Sequence, residues 1–401
     1  MSAPDAARAA AVEALVAAHL AVDTAAPLDA LPLVVPAFGA PEVTEAIHAL
    51  LEGHLTMGAR VRRFEAGWAS AVGVRHSVMV NSGSSALLVA LSALIECGHL
   101  RRGDEVIVPA VGWSTSLFAV AQAGLRPVVM DVHPDTLVLD GRFDAPVLAV
   151  HLLGLPARVE APVVIEDACG AHGATLDGRV VGGIGRIAAF SFFFSHHLNT
   201  IEGGAVTTDD DALADAARSL RAHGWVRERS DRAALEAAHP DIDPRFLFVT
   251  PGYNVRPTEV AGAFGIHQLA RLPGILAARS ANHAAWCAAI AESGLPVQVF
   301  PAPAGRTHAA FGFPMVLRPE ARIDRATLAA RLEARGISTR AISGANLVRQ
   351  PAFARVPGAR VAGPLPVAEA VHDRGLFVGQ SHAFGPAHAA LLLDALRAAL
   401  A

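Results

Sequence analysis

The sequence predicts an α/β fold, with a mostly parallel seven-stranded sheet in a large domain and a smaller C-terminal α/β domain. Three observations predict the layered part of this. Short apolar runs alternate with helical or loop segments from about residue 75 to 210. Several of the runs are unbroken rather than alternating, as strands covered on both faces are. Polar clusters follow the runs at the carboxyl ends of the strands, where such sheets bind ligands.

The elements follow in chain order. Residues 1–30 form an N-terminal helical extension, in which Asp5, Arg8 and Glu13 break the apolar core that a signal peptide needs. The strands are Ser77–Val80, Glu105–Pro109, Pro127–Asp131, Val147–His151, Val163–Glu166, Ile187–Phe193 and Ala205–Thr208. Asp209–Asp211 opens a helix to about Arg221, an acidic start favoured by the helix dipole. A polar, less regular stretch runs from Glu228 to about Arg245, and a helical pattern from Pro257 to about Ile290. The large domain spans 31–275 and the small one 276–401, with strands near Phe311–Leu317 and Ile337–Arg340 and a closing helix at His388–Leu400.

Bulk properties exclude several classes. The chain is 52% hydrophobic and 17% charged, hence globular. A net charge of -4 gives no electrostatic case for nucleic acid or an anionic membrane. The apolar run Leu87–Ile95 is far too short to span a bilayer, and the cytoplasm is the expected compartment. Cys97, Cys169 and Cys287 fit neither a disulfide framework nor a zinc pattern, and no metal site is expected. There is no lysine: all 33 basic residues are arginine. A GC-rich genome explains that bias equally well, but no side chain here can form a lysine Schiff base.

Four clusters carry candidate chemistry. Asn81-Ser82-Gly83-Ser84-Ser85-Ala86 opens an apolar helix and offers backbone N–H groups and hydroxyls to a phosphate, or is an ordinary N-cap. Trp113 follows the strand Glu105–Pro109 and either stacks on a planar ring or packs in the core. Glu166-Asp167-Ala168 ends an apolar strand, where a carboxylate can meet a protonated pyridine nitrogen or simply cap a turn. The fourth runs from Ser191 through His196-His197 to Glu202-Gly203-Gly204. An imidazole titrates near neutrality, so His196 is a candidate general acid/base, against a purely structural pair.

Taken in order, and with Gly252-Tyr253-Asn254-Val255-Arg256-Pro257-Thr258-Glu259 added, these motifs resemble the DegT-type sugar aminotransferase family, which has the fold-type I architecture of pyridoxal-phosphate enzymes. The likeness runs from about Pro36 to Phe384. The position of the family's cofactor lysine, five residues after Ser191, holds His196, which is similar to the sub-group of nucleotide-sugar 3-dehydratases. Leu55-Thr56-Met57-Gly58 and Thr200-Ile201-Glu202-Gly203-Gly204 resemble its GDP-sugar members; its CDP-sugar members hold an iron–sulfur cluster that three cysteines fall short of building.

The resemblance implies non-covalent pyridoxamine 5′-phosphate (pyridoxal 5′-phosphate after turnover), held by Gly83, Ser84 and Ser191 at the phosphate, Trp113 on the ring and Asp167 at its nitrogen. Asn254 would reach the phosphate of the neighbouring subunit, making a homodimer with composite sites. His196 would be the base acting on a nucleotide-linked 4-keto-6-deoxy sugar, with L-glutamate as amino donor. Arg227, Arg340 and Asn346 would lie on the substrate side, although exposed arginine needs no such explanation. Gly170 departs from the family, whose members usually carry there a side chain that can touch the cofactor's phenolic oxygen. The segments Asp140–Pro146 and Leu155–Pro162 are shorter than the family's. An alternative expectation is an inactive homologue serving as scaffold or partner subunit, against which the retained cofactor shell argues.

Overall fold

The computed structural model describes residues 3–20 and 29–401. Of the expected extension over 1–30, residues 1–2 and 21–28 lie outside the described residues, and Ala3–Leu20 is a helix, α1. The helices that follow and matter here are α2 (Ala40–Leu51), α3 (Ala59–Val72), α4 (Gly83–Glu96), α5 (Ser114–Gln122), α6 (Asp211–Leu220), α7 (Glu259–Ile266), α8 (Leu272–Glu292), α9 (Arg325–Glu333), α10 (Pro366–Arg374) and α11 (Pro386–Leu400). The main strands are β1 (His76–Val80), β2 (Glu105–Pro109), β3 (Arg126–Met130), β4 (Val147–Val150), β5 (Val164–Asp167), β6 (Ile187–Ser191), β7 (Gly204–Thr208), β8 (Val297–Val299), β9 (Gly312–Leu317), β10 (Thr339–Arg340), β11 (Arg360–Val361) and β12 (Gly375–Gly379). All seven strands expected between residues 75 and 210 are present, as β1 to β7.

The chain divides into two compact units. The first takes Pro36–Leu100 and Arg186–Leu272 with the N-terminal helix. In it β7 pairs antiparallel with both β1 (Val78 opposite Val206) and β6 (Ala189 opposite Val206). Apolar side chains fill these strands because both faces are covered, by α3, α4 and α6 among others. Trp68 of α3 meets the rings of Phe190 and Phe192 edge-on, both at 5.0 Å, and Phe64 meets Phe192 at 5.1 Å. Such edge-to-face contacts suit the ring quadrupoles. Gly73, at φ 81°, ends α3 in the left-handed conformation that a Cβ disfavours.

The second unit takes Arg101–Gly185 and Pro273–Ala401 with the residues just ahead of Pro36. Its five parallel strands run in the order β5-β4-β2-β3-β11. A separate antiparallel sheet, β8-β9-β12-β10, packs Phe313, Leu376 and Val378 against Trp286, Leu392 and Leu396.

Three details differ from the sequence reading. The pattern Pro257–Ile290 is two helices, α7 and α8, separated by turns at His267–Arg271, because Pro273 lacks the N–H that a continuous helix would need. The polar stretch 228–245 contains a short helix, Arg232–Ala238. Strand β12 was not expected: Gly-Leu-Phe-Val-Gly reads as a short apolar run closed by turn residues, yet it lies between β9 and β10. No helix among the described residues is long and apolar enough to cross a membrane.

Candidate active site

In the first unit, β1 delivers the chain to Asn81 and the start of α4. Ser82 caps α4 by accepting from the Ser85 amide at 3.1 Å, and Asn81 Oδ1 accepts from the Ser85 hydroxyl at 2.7 Å. Gly83 and Ser84 thus occupy the first turn, at the positive end of the helix dipole. Ser191, the last residue of β6, pairs with Gly204 of β7. A Cβ on Gly204 would collide with the Ser82 carbonyl oxygen and the Gly83 nitrogen, so glycine is required for β7 to pass this close. Gly83, Ser84 and Ser191 are therefore brought together. The Asn81 amide donates to the Val255 carbonyl at 2.9 Å, which seats exposed Asn254 next to the same turn. Asn254 Oδ1 accepts from Arg256 Nε at 3.1 Å.

His196 and His197 lie on the connection from β6 to β7. His197 is 0% exposed whereas His196 is half-buried, so only the latter is open to a reactant. Gln268 fixes the downstream end of this loop. Its Oε1 accepts from the Asn199 amide at 3.1 Å, and its Nε2 donates to the carbonyls of Asn199 and Phe264 at 2.7 and 2.8 Å. Ile201 then sits at φ 69°, a left-handed conformation that β-branched side chains rarely adopt.

Arg227 is exposed, stacks over Trp225 with its guanidinium carbon 3.9 Å from the ring centroid, and donates to the Arg245 carbonyl at 3.1 Å. Trp225 in turn stacks on Phe248. Arg227 also lines a cleft of about 630 Å³ together with Arg62, Arg75, Arg218 and Arg221. Arg221 is neutralised there by Glu65 and Glu228, each at 2.6 Å.

In the second unit, Asp167 ends β5 and is 6% exposed. Its Oδ2 accepts from the Ser116 hydroxyl of α5 at 2.6 Å and its Oδ1 from the Cys169 amide at 3.2 Å. No basic side chain forms a salt bridge with it among the described residues. Burial, followed by the neighbouring Asp167, pushes the Cys169 thiol well above its ordinary pKa. Glu166 plays a different part. Burial pushes its carboxyl up, but His151 at 3.0 Å and the amides of Gly182 and Gly185 outweigh this and hold it below the usual range. It ties the end of β5 to the following loop.

Trp113 is the residue just ahead of α5 and is 64% exposed, so it is not a core ring. Asn346 is buried beside it through a bridge to Val111. Both ends of its amide are committed, Nδ2 to Glu369 at 2.8 Å and Oδ1 from the Val348 amide at 3.0 Å. That makes it a loop clamp. Arg340 is exposed on β10, and its guanidinium donates to the Thr339 carbonyl at 3.0 Å. The sequence reading missed Ser116 and Gln268, whose partners are 51 and 69 residues away. Nothing local marks either one.

A model of the DegT/DnrJ/EryC1/StrS aminotransferase family matches residues 37–397. The chain belongs to that family. Among DegT-family proteins it is 36% identical over 357 residues to GDP-4-keto-6-deoxy-D-mannose 3-dehydratase of Yersinia pseudotuberculosis, covering 83% of this chain and 90% of that one. Two solved structures of GDP-4-keto-6-deoxymannose 3-dehydratase share its fold. A histidine-to-asparagine variant with bound GDP-perosamine gives a TM-score of 0.83 at 29% identity, covering 91% of this chain and 100% of the other. A form with a trapped adduct of pyridoxal phosphate and glutamate gives 0.82 at 30%, covering 92% and 100%.

Proposed function

We propose that this DegT-family chain is a pyridoxamine-phosphate-dependent 3-dehydratase that removes the C3 hydroxyl of a nucleotide-linked 4-keto-6-deoxy sugar. The observation that carries the reading is His196: a half-buried imidazole on the β6–β7 loop of a chain without lysine. The similarity to GDP-sugar 3-dehydratases and to a structure with a glutamate adduct supports a GDP-sugar as substrate and L-glutamate as amino donor.

The residues present fit the cofactor. A buried carboxylate that accepts two hydrogen bonds and has no ion-pair partner among the described residues suits a protonated pyridine nitrogen, and the start of α4, with Gly83 and Ser84 at its positive dipole end, suits a phosphate. Gly83, Ser84 and Ser191 would hold that phosphate, Trp113 would cover the ring, and Asn254 would act on the neighbouring subunit of a homodimer. When bound, the cofactor supplies an amine that condenses with the sugar's 4-keto group and an electron-withdrawing ring that acidifies the adjoining C4′ carbon. His196 would be the group that moves protons there, from C4′ and to the departing 3-hydroxyl. Arg227, held flat on Trp225, and the exposed guanidinium of Arg340 would meet the nucleotide's phosphates; a preoriented planar fork loses little entropy on binding them.

Replacing each histidine by asparagine tests the assignment. His196→Asn is expected to lower turnover by about a hundredfold or more, the usual contribution of a general base, while cofactor binding persists. If His197→Asn alone abolished turnover with the fold intact, the base would be misassigned. Mass spectrometry of a 4-keto-6-deoxy nucleotide sugar incubated with enzyme, pyridoxal phosphate and glutamate reads the loss of oxygen directly.

A further inference from the structure

Asp167 is the single acid available to a pyridine nitrogen in the reading above, and its side chain is not self-supporting. It leaves the last residue of a strand, where a short carboxylate can rotate about two bonds. Two donors oppose that rotation: the Cys169 amide on Oδ1 at 3.2 Å and the Ser116 hydroxyl on Oδ2 at 2.6 Å. The first comes from two residues away and follows the local turn. The second comes from a different element, α5, and from a side chain only 1% exposed. Ser116 lies on the same helix start that presents Trp113.

We infer that Ser116 is a positioning residue for the cofactor's ring: by donating to Oδ2 it fixes the Asp167 carboxylate in one orientation, and it couples that orientation to the helix that carries Trp113. The inference rests on the proposal that Asp167 meets the pyridine nitrogen. The chemistry is direct. A hydrogen bond donated to a carboxylate favours its ionised form, and charge-assisted O–H···O⁻ bonds are short and strong. Without the hydroxyl, the carboxylate is free to rotate away, and the proton on the ring nitrogen loses the anion that faces it. The ring then withdraws electrons less well at the atom from which His196 removes a proton. The Cys169 thiol sits against the same acid and stays protonated there, so it adds a third, weaker donor and no competing charge.

The test uses the full-length protein loaded with ¹⁵N-labelled pyridoxamine phosphate. In Ser116→Ala the ring-nitrogen resonance is expected to move toward the neutral-pyridine value, the cofactor's Kd to rise about tenfold, as loss of one charge-assisted bond implies, and kcat to fall with the sugar's KM unchanged. Ser116→Thr, which keeps the hydroxyl, restores all three. Should Ser116→Ala not fold, Ser116→Cys serves, its weaker donor giving the same shift at smaller amplitude. Asp167→Asn separates the two levels of the argument. If it moves the resonance and Ser116→Ala does not, Ser116 is not a positioning residue and the inference is overturned. If Asp167→Asn leaves the resonance in place, Asp167 does not meet the nitrogen, and the reading beneath the inference falls with it.

Discussion

At the scale of single residues, the chemistry turns on what a chain without lysine can and cannot bond to. All 33 basic side chains are guanidinium groups, which do not condense with an aldehyde under ordinary conditions. Borohydride treatment of the enzyme in its aldehyde form is therefore expected to reduce the cofactor without fixing it to any internal residue. A peptide map showing a pyridoxyl adduct anywhere but the α-amino terminus would contradict the non-covalent assignment. The turn at Gly83, Trp113, Asp167 and the histidine pair stand out in the sequence as candidates because each is a short, local signature at the end of an apolar run. Ser116 and Gln268 do not. A serine inside a helix and a glutamine after one are ordinary until the fold brings Asp167 and Asn199 to them.

Among the elements, α3 shows how a remote acid can settle where a helix begins. Glu259, the first residue of α7, accepts from the amides of Gly58 at 2.6 Å, Arg60 at 2.7 Å and Val61 at 3.3 Å. It supplies from 198 to 201 positions away what a local N-cap would normally provide. Glu259→Ala is expected to cost about 2–3 kcal/mol in urea unfolding, since it strands buried donors that bonded to a charge; a loss under 0.5 kcal/mol would show the cap to be dispensable, a surface-like value. Strand and helix runs could be read from their periodicity, but this cap could not, because Thr258-Glu259 looks like the start of its own helix and nothing more.

Helix α8 and the loop before β9 bury a second pair of histidines. His283 and His308 stack at 3.9 Å; burial lowers His283 to about 4 and pushes His308 well below its ordinary value. Both are held neutral in the fold by burial, while in the unfolded chain they titrate near 6.5. Stability is full above that value and declines as pH falls from 6.5 toward 4, as the unfolded state gains protons that the native state refuses. His283 alone contributes on the order of 3 kcal/mol to that decline. Urea midpoints at pH 7.5 and 4.5 check it: His283→Phe should flatten the dependence, and an unchanged slope would assign it elsewhere.

For the molecule as a whole, the proposed homodimer with shared sites predicts a gain from mixing two defective proteins. His196→Asn and Asn254→Ala subunits, unfolded and refolded together, form heterodimers with one site carrying both changes and one carrying neither. About a quarter of full activity should return, half of the sites in half of the dimers, as random pairing across a twofold axis gives. No return above the unmixed proteins would mean that each subunit completes its own site. Within each subunit, Ile201 ties the loop of His196 to an unfavourable backbone angle. Holding a β-branched residue there costs on the order of 1–3 kcal/mol. Such a segment behaves like a spring kept under load by the Gln268 clamp. Changes that let it relax would make a more heat-tolerant but less able catalyst, so the sequence that works best is not the one that melts last.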